Sequence, residues 1–200
     1  MNILLIDDHM LIGKSLEITL KNNSNINEFH YITDPKLAEY SVNLYKPSII
    51  LMDIHMGKYN GLELGKHLLN MFDIKLVFLS GFDLIEYQEK ANEIGASAFL
   101  NKHISIELLI ENLKKIYYDN KTIFPTTNNS IYHSLTSREK DILRYLSYGD
   151  KQSTIAATLN ISDRTIRNHI ASINEKMNTN SALASVLKAI ELGIVSTKLQ

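Results

Sequence analysis

Short apolar runs that end in acidic residues constrain the first half of this 200-residue chain more than any other feature. Asp7 and Asp8 close the run 3–6, and Asp53 closes the run 49–52. Runs of this kind are typical of parallel strands that are buried on both faces. Because the carboxyl ends of parallel strands meet at one edge of the sheet, we expect the three carboxylates to lie together where open α/β sheets bind ligands.

Three carboxylates gathered at one place repel each other, and a divalent cation would relieve this repulsion. Carboxylate oxygens suit Mg²⁺. The chain has no cysteine, and its histidines form no cluster at the spacing of a transition-metal site. His9 and His55 could bind a metal, although solvated loop histidines are the more common case. The sequence therefore predicts Mg²⁺ at this sheet edge.

Strand and helix patterns alternate through the first 120 residues. Five βα units in this order predict an α/β domain with a doubly wound, five-stranded parallel sheet, similar to flavodoxin. The strands are predicted at about 2–6, 27–32, 48–52, 75–79 and 97–100, and the helices at about 10–22, 35–45, 61–71, 83–94 and 104–118.

The alternation stops after the fifth helix. Residues 119–134 are polar, aperiodic and rich in turn formers, which predicts a linker between a domain at 1–118 and a domain at 135–200. The second domain is predicted to be all-α, with four helices at about 137–148, 152–159, 163–177 and 181–192. Thr136 with Glu139 forms a capping box at the first of these helices, and Ser162 is an N-cap.

The distribution of charge separates the two parts. Residues 1–130 carry a formal charge of −4, and residues 131–200 carry +3. This asymmetry predicts that the second part meets a polyanion.

The helix at 163–177 has two different faces. Ile166, Ile170, Ile173 and Met177 recur at helical spacing and predict a buried stripe. Arginine pairs with guanine edges, asparagine pairs with adenine edges, and small residues allow close approach to the major groove. With the preceding helix and a short turn, this arrangement predicts a helix-turn-helix. Alternatively, the polar outer face of this helix is simply exposed to solvent and does not bind DNA. The outer residues are Arg164, Arg167, Asn168, Ala171, Ser172 and Lys176.

Two further strand ends carry polar groups, Ser80 and Lys102. All five polar groups have a task if Asp53 accepts a phosphoryl group. Mg²⁺ would neutralise charge between the acids and the phosphoryl oxygens, Lys102 would pair with one oxygen, and Ser80 would donate to another. A single strand-end aspartate is usually a turn former, but five groups in register favour a phosphoryl site.

Residues 1–118 resemble the receiver domain of bacterial two-component response regulators. The resemblance rests on Asp7-Asp8, Asp53, Ser80, Lys102 and the loop 53–62. It implies phosphotransfer from a partner sensor histidine kinase to Asp53.

The resemblance also implies ligands and a switch. Asp8, Asp53 and the backbone carbonyl of His55 would hold Mg²⁺, with Asp7 in support. Ser80 and Phe99 would be the switch pair that reorients after phosphorylation.

The chain departs from the receiver pattern at three positions. Gly57 replaces the usual proline, which is expected to loosen the acceptor loop. His103 follows Lys102 where proline is usual, and Phe99 lacks the hydroxyl of the tyrosine that is often found there.

Residues 135–200 resemble the LuxR-type DNA-binding domain, so the whole chain is identified as a member of the NarL/FixJ family of response regulators. The resemblance implies base contacts from Arg167, Asn168 and Ala171. It implies phosphate contacts from Arg164, Thr165 and Lys176, with Gln152 and Ser153 near the DNA backbone. The motifs that carry it are 135–139, Gly149, Ile155-Ala156, Leu159, Ile161-Ser162, 165–170, Ile173, Lys176-Met177 and 189–195.

The last helix commonly carries dimer contacts in this family, which implies a two-fold DNA site. Simple core packing is an equal alternative for its apolar residues. These residues are Leu183, Val186, Leu187 and Ile190.

Together, these features predict a DNA-binding transcriptional regulator that is controlled by phosphorylation of Asp53, is homodimeric when phosphorylated, and is not an enzyme. No apolar run approaches the roughly 20 residues of a membrane span, and the N-terminus is unlike a signal peptide, so a cytoplasmic protein with no membrane partner is expected. One alternative is a regulator that binds double-stranded DNA without phosphorylation, but the acidic pocket of such regulators is typically degraded. Another is a phosphohydrolase with an aspartate nucleophile, but those enzymes typically carry a second Asp where His55 stands.

Overall fold

The computed structural model describes residues 1–81, 84–125 and 130–197. These residues form two compact units. One comprises residues 1–81 and 87–125, and the other comprises residues 84–86 and 130–197. None of the described helices is both long and apolar enough to cross a membrane.

The first part of the chain alternates between strands and helices, as the sequence predicts. A 3-10 turn at Pro35–Leu37 precedes the second helix, and the predicted start of the fourth helix at residue 83 lies outside the described residues. The elements are β1 (Asn2–Ile6), α1 (Met10–Lys21), β2 (Glu28–Ile32), α2 (Ala38–Tyr45), β3 (Ile49–Asp53), β4 (His55–Met56), β5 (Tyr59–Asn60), α3 (Gly61–Met71), β6 (Lys75–Ser80), α4 (Ile85–Glu93), β7 (Ala98–Asn101) and α5 (Ile106–Asp119).

The main sheet has five parallel strands in the order β2-β1-β3-β6-β7. Alternate residues of β1 enter different cores. Ile3 and Leu5 pack in the core that α1 and α5 cover, and Leu4 and Ile6 pack in the core on the opposite face. Burial on both faces explains why the strands are continuous apolar runs. The predicted doubly wound fold is confirmed.

The second unit is helical. Its elements are α6 (Ser130–Ser134), α7 (Ser137–Ser147), α8 (Gln152–Thr158), α9 (Asp163–Lys176) and α10 (Ala182–Glu191). The capping box of Thr136 and Glu139 forms at α7, and the Ser162 hydroxyl accepts the Thr165 amide at α9. The four predicted helices are confirmed, and their core includes the predicted stripe of Ile166, Ile170, Ile173 and Met177.

The segment predicted to be a linker, 119–134, contains two ordered pieces. Ile123 forms a parallel bridge with Ala98, and its carbonyl accepts the amide of Phe99 at 3.0 Å. Helix α6 buries Tyr132. The sequence does not indicate these two pieces, because single apolar anchors in a polar stretch show no periodicity. Residues 126–129 of the segment lie outside the described residues.

Candidate phosphorylation site and nucleic-acid interface

Four parallel strands end at one edge of the sheet and deliver the predicted phosphorylation residues there. Asp7 follows β1, Asp53 and Ser80 are the last residues of β3 and β6, and Lys102 follows β7. Asp7, Asp53 and Ser80 are all buried. The structure therefore brings together side chains that lie up to 95 positions apart in the sequence.

A single ammonium group joins two buried carboxylates at this edge. The Nζ atom of Lys102 lies 2.7 Å from Oδ2 of Asp53 and 2.8 Å from Oδ2 of Asp7. The Lys102 side chain is only 9% exposed. Among the described residues, Asp7 Oδ2 receives no hydrogen bond of standard geometry, so its pairing with Lys102 is electrostatic.

The other oxygen of Asp53 is held by the backbone. Oδ1 accepts the amide of Ile54 at 2.7 Å and, more weakly, the amide of His55 at 3.4 Å. The two oxygens of the carboxylate therefore have different partners, and this fixes the orientation of the group. A fixed acceptor lowers the cost of orienting the reacting atoms.

His9 lies closer to the acids than the sequence indicates. Its Nδ1 atom is 3.1 Å from Asp7 Oδ1, 3.0 Å from Asp8 Oδ1 and 3.4 Å from Asp53 Oδ2, although 59% of the side chain is exposed. The Asp7 carboxylate also accepts the backbone amide of His9 at 2.9 Å, which turns the ring toward the acids. The only sequence signal for this placement is the position of His9 directly after Asp8.

These residues fit a divalent cation. One ligand atom from each of Asp7, Asp8, His9 and Asp53 lies within 4.8 Å of the other three. The single positive charge of Lys102 cannot balance three carboxylates, and the buried Asp7 Oδ2 atom receives no hydrogen bond from the described part of the chain. Both observations agree with the preference of carboxylate clusters for a hard cation. Receiver domains bind Mg²⁺ at an acidic pocket of this kind.

The predicted switch residues are both buried. Ser80 is 1% exposed, and its carbonyl accepts the amide of Lys102 at 2.8 Å. Phe99 packs in the core beside α3 and α4. The peptide bond between Lys102 and His103 is trans, and the amide of His103 donates to the side chain of Asn101 at 2.8 Å.

The loop after Asp53 is a short antiparallel hairpin of β4 and β5. Gly57 and Lys58 form a two-residue loop in which Gly57 has a φ of +58°. Hairpins of this length require positive φ, which glycine tolerates and the usual proline cannot adopt. A Cβ atom at Gly61 would lie 2.1 Å from the Asp53 carbonyl oxygen, so α3 begins against the acceptor strand.

The outer face of α9 carries most of the predicted DNA contacts. Arg164, Arg167, Asn168 and Ala171 are exposed there. Within the described part of the chain, neither arginine makes an ion pair or a side-chain hydrogen bond. The Thr165 hydroxyl lies 2.8 Å from the Ser162 hydroxyl, and Gln152 and Ser153 are exposed at the start of α8.

Two residues that were predicted on the outer face are turned toward α7 instead. The Ser172 hydroxyl donates to Glu139 Oε1 at 2.7 Å, and the Lys176 ammonium donates to Glu139 Oε2 at 2.7 Å. Burial by itself raises the pKa of Glu139, but the hydrogen bonds from Lys176, the Thr136 amide and Ser172 outweigh it and hold the pKa at about 2. A sequence pattern shows which residues share a helix side, but not this pairing.

The structure also divides the apolar residues of α10. Leu183 and Leu187 are 69% and 60% exposed, whereas Val186 is buried. The first two lie one helical turn apart, so they form an outward stripe.

Comparisons with known proteins agree with both units. The family described as "Response regulator receiver domain" matches residues 3–114, and the family described as "Bacterial regulatory proteins, luxR family" matches residues 133–189. The chain is 29% identical to the transcriptional regulatory protein DegU of Brevibacillus brevis, over 98% of this chain and 95% of DegU. It is 25% identical to the transcriptional regulatory protein YdfI of Bacillus subtilis strain 168, over 97% of each.

A solved structure is similar over nearly the whole chain. RcsB from Salmonella enterica serovar Typhimurium, bound to a promoter in the presence of the phosphomimetic BeF3⁻, is 19% identical and covers 95% of this chain and 98% of RcsB, with a TM-score of 0.66. At this identity, the match shows a shared fold. The two family matches show that this chain belongs to the response regulators, with a receiver domain followed by a LuxR-type DNA-binding domain.

Proposed function

We propose that this protein acts in the cytoplasm as a transcriptional regulator whose binding to double-stranded DNA is controlled by phosphorylation of Asp53. The observation that carries this proposal is the pairing of Lys102 with both Asp53 and Asp7 at the sheet edge. Its homologues are DNA-binding transcriptional regulators, and phosphorylation control is typical of the family.

The phosphoryl donor is the phosphohistidine of a partner sensor kinase. A carboxylate oxygen of Asp53 attacks phosphorus, a new O–P bond forms, and the P–N bond breaks. The leaving imidazole keeps the electron pair and takes a proton from solvent. Lys102 then pairs with a phosphoryl oxygen, and the Ser80 hydroxyl donates to another. Both groups act by positioning and by electrostatic stabilisation, which dominate phosphoryl transfer.

Asp8, Asp53 and the backbone carbonyl of His55 would hold Mg²⁺, with Asp7 in support. The bound ion supplies charge neutralisation between the carboxylates and the phosphoryl oxygens. Asp8 suits this role because its side chain is partly exposed, at 35%, and so can reach an ion that arrives from solvent. Asp7 is fully buried and holds Lys102 and the His9 amide in place.

Phosphorylation adds a charge of about −1.5 to −2 at the sheet edge. Lys102 then has a stronger partner than Asp7, and Ser80 and Phe99 reorient as the switch pair. The change reaches the surface formed by α4, β7 and α5, and it favours a homodimer. The exposed stripe of Leu183 and Leu187 supports a dimer contact through α10.

The DNA-binding domain is proposed to span residues 135–200, after a receiver at 1–118 and a linker at 119–134. Helix α9 enters the major groove, where Arg167, Asn168 and Ala171 contact base edges. The remaining contacts are to the DNA backbone, and the dimer reads a two-fold site. These backbone contacts come from Arg164, Thr165, Gln152 and Ser153.

The test of phosphorylation is incubation of the full chain with a small phosphodonor and Mg²⁺, comparing wild type with Asp53→Asn. Wild type is expected to take up one phosphoryl group, and Asp53→Asn is expected to take up none. Equal labelling of the two proteins would refute the proposal. We propose no enzymatic turnover beyond this transfer, since His55 stands where phosphohydrolases typically place a second aspartate.

The test of output is a binding-site selection from random double-stranded DNA with phosphorylated wild type. The proposal is supported if a two-fold sequence is enriched and the phosphorylated protein binds it more tightly than the unphosphorylated protein does. Equal enrichment by Asp53→Asn would instead indicate a regulator that does not depend on phosphorylation.

A further inference from the structure

Glu139 is a buried carboxylate in the helical unit, and it links α7 to α9. It is 2% exposed, and its side chain accepts three hydrogen bonds, each 2.7 Å long. The donors are the Thr136 amide at the start of α7, the Ser172 hydroxyl on α9 and the Lys176 ammonium on α9. We call these four residues the Glu139 cluster.

We propose that Lys176 is a positioning residue that holds α9 against α7 through Glu139, and that it does not contact a DNA phosphate. The proposal rests on the proposed function, because it concerns how α9 reads DNA. It assigns the phosphate contacts of this helix to its first turn, where Arg164 is exposed and, within the described part of the chain, makes no ion pair or side-chain hydrogen bond.

Movement of the Lys176 ammonium from Glu139 to a DNA phosphate would be unfavourable. If its ammonium turned to a phosphate, the buried Glu139 carboxylate would lose its only charged partner among the described residues. Breaking a buried ion pair by removing one partner is strongly unfavourable, whereas an ammonium–phosphate contact at a solvated surface is a modest gain. The Lys176 side chain is 29% exposed, so most of it already lies against the protein.

The end of α9 is held by a second group of polar contacts. The buried Ser185 hydroxyl donates to Asn174 at 2.7 Å, and the Lys188 ammonium donates to the Met177 carbonyl at 2.7 Å. The last turns of α9 are therefore bound to both α7 and α10. A satisfied buried polar network specifies one packing arrangement. The fixed end sets the angle at which the exposed residues of the first turns meet DNA.

The salt dependence of DNA binding separates the two roles of a lysine. Each phosphate contact contributes about 0.9 to the slope of log affinity against log salt concentration. We compare Lys176→Met with Arg164→Met in the full phosphorylated chain, on a duplex selected by wild type and on a scrambled duplex. Arg164→Met is expected to lower the slope by about 0.9 on both duplexes.

Lys176→Met is expected to leave the slope unchanged and to weaken binding to the selected duplex about tenfold, with little change on the scrambled duplex. The specificity ratio, which is the affinity for the selected duplex divided by that for the scrambled duplex, should therefore fall while the salt slope stays constant. This is the result expected if α9 meets the DNA at a changed angle. A slope lowered by about 0.9 in Lys176→Met, as in Arg164→Met, would overturn the proposal.

A double-mutant cycle tests the route through Glu139. Glu139→Gln combined with Lys176→Met is expected to lose no more affinity for the selected duplex than the more damaging single change, because both break one contact. Additive losses would contradict it. Lys176→Arg, which keeps the charge, is expected to recover most of the specificity ratio.

Two controls keep these outcomes interpretable. The helical circular dichroism of each variant must match wild type, and Ser172→Ala provides a milder change if Glu139→Gln does not fold. Ser172→Ala is expected to lower the specificity ratio at constant slope, and a lower slope or an unchanged ratio would count against the cluster. If wild type itself shows no preference for any duplex, the proposed function fails; if only the Lys176 slope falls, this inference alone fails.

Discussion

The Nζ atom of Lys102 lies 2.7 Å from Oδ2 of Asp53 and also contacts Asp7. The proposed acceptor is thus paired, before any phosphoryl group arrives, with the cation that would bind that group afterwards. The contact joins the ends of two strands that are not neighbours in the sheet. It makes the stability of the receiver unit depend on the same charges as its chemistry.

Replacement of Lys102 by methionine is expected to destabilise the receiver unit by about 3–5 kcal/mol without a divalent cation, because Asp7 and Asp53 lose their buried partner. Urea unfolding measures the change, and Mg²⁺ should recover part of the loss. Lys14→Met is the matched control, since Lys14 pairs with Glu17 at the surface and its side chain is 65% exposed. A loss no larger than in that control would contradict the role of Lys102.

Addition of Mg²⁺ is expected to raise the stability of wild type by about 2.7 kcal/mol when the ion is present at 100 times its dissociation constant. Asp8→Asn should remove most of this gain, because Asp8 is the acid that is open to solvent. Thermal unfolding with and without MgCl2 gives the comparison. An equal gain in wild type and Asp8→Asn would exclude Asp8 as a ligand.

Gly61→Ala is expected to destabilise the receiver unit by about 1–3 kcal/mol, because its Cβ would meet the Asp53 carbonyl oxygen at 2.1 Å. It should also slow phosphorylation by displacing the acceptor. Gly81→Ala is the matched control, since a Cβ there would have no heavy atom within 4 Å among the described residues beyond its chain neighbours. Similar unfolding midpoints for the two variants would argue against the close approach.

The stability of the helical unit is expected to fall in acid through Glu139. Its pKa is lowered from 4.5 to about 2 in the folded chain, so the stabilisation is present above about pH 5 and is lost as the pH falls toward 2. We expect a contribution of about 1–2 kcal/mol after allowance for solvent screening at Lys176. Glu139→Gln should lack this component. An NMR titration that places the Glu139 carboxyl near 4.5 would disprove the shift.

Arg167→Ala is expected to weaken binding to the selected DNA by about 1–3 kcal/mol and to relax the preference at one base pair. Competition between the selected duplex and single-base variants measures this preference. Arg138→Ala is the control for loss of an arginine that supports the fold, because the Arg138 guanidinium donates to the Leu159 carbonyl at 2.7 Å, near the turn before α9. An equal loss on every sequence would move Arg167 into the class of phosphate contacts.

Much of the candidate site could be predicted because its signals are local. Asp53, Ser80 and Lys102 each follow or end a short apolar run, and parallel strands place such positions at one edge. The stripe from Ile166 to Met177 likewise follows from helical periodicity. Both patterns reflect which residues of a single element are buried. A strand buried on both faces requires a continuous apolar run, and a half-buried helix requires apolar residues at helical spacing.

Other features arise from contacts between distant segments. The ring of His9 turns toward three acids, and Ile123 bridges to Ala98 although its surroundings resemble a linker. The hairpin at Gly57 depends on a positive φ that the family comparison alone did not indicate. None of these features leaves a periodic trace in the sequence.

The sequence by itself determined the five strands of the main sheet, the helices α1 to α5 and α7 to α10, and the chemical groups at the sheet edge. Only the tertiary structure decided their partners. Lys102 binds Asp53 and Asp7, and Lys176 turns from the outer face of α9 to Glu139, 37 residues away. Local patterns encode which side of an element is apolar. The choice among polar partners depends on how elements pack, because only packing removes water and brings distant charges within hydrogen-bond distance.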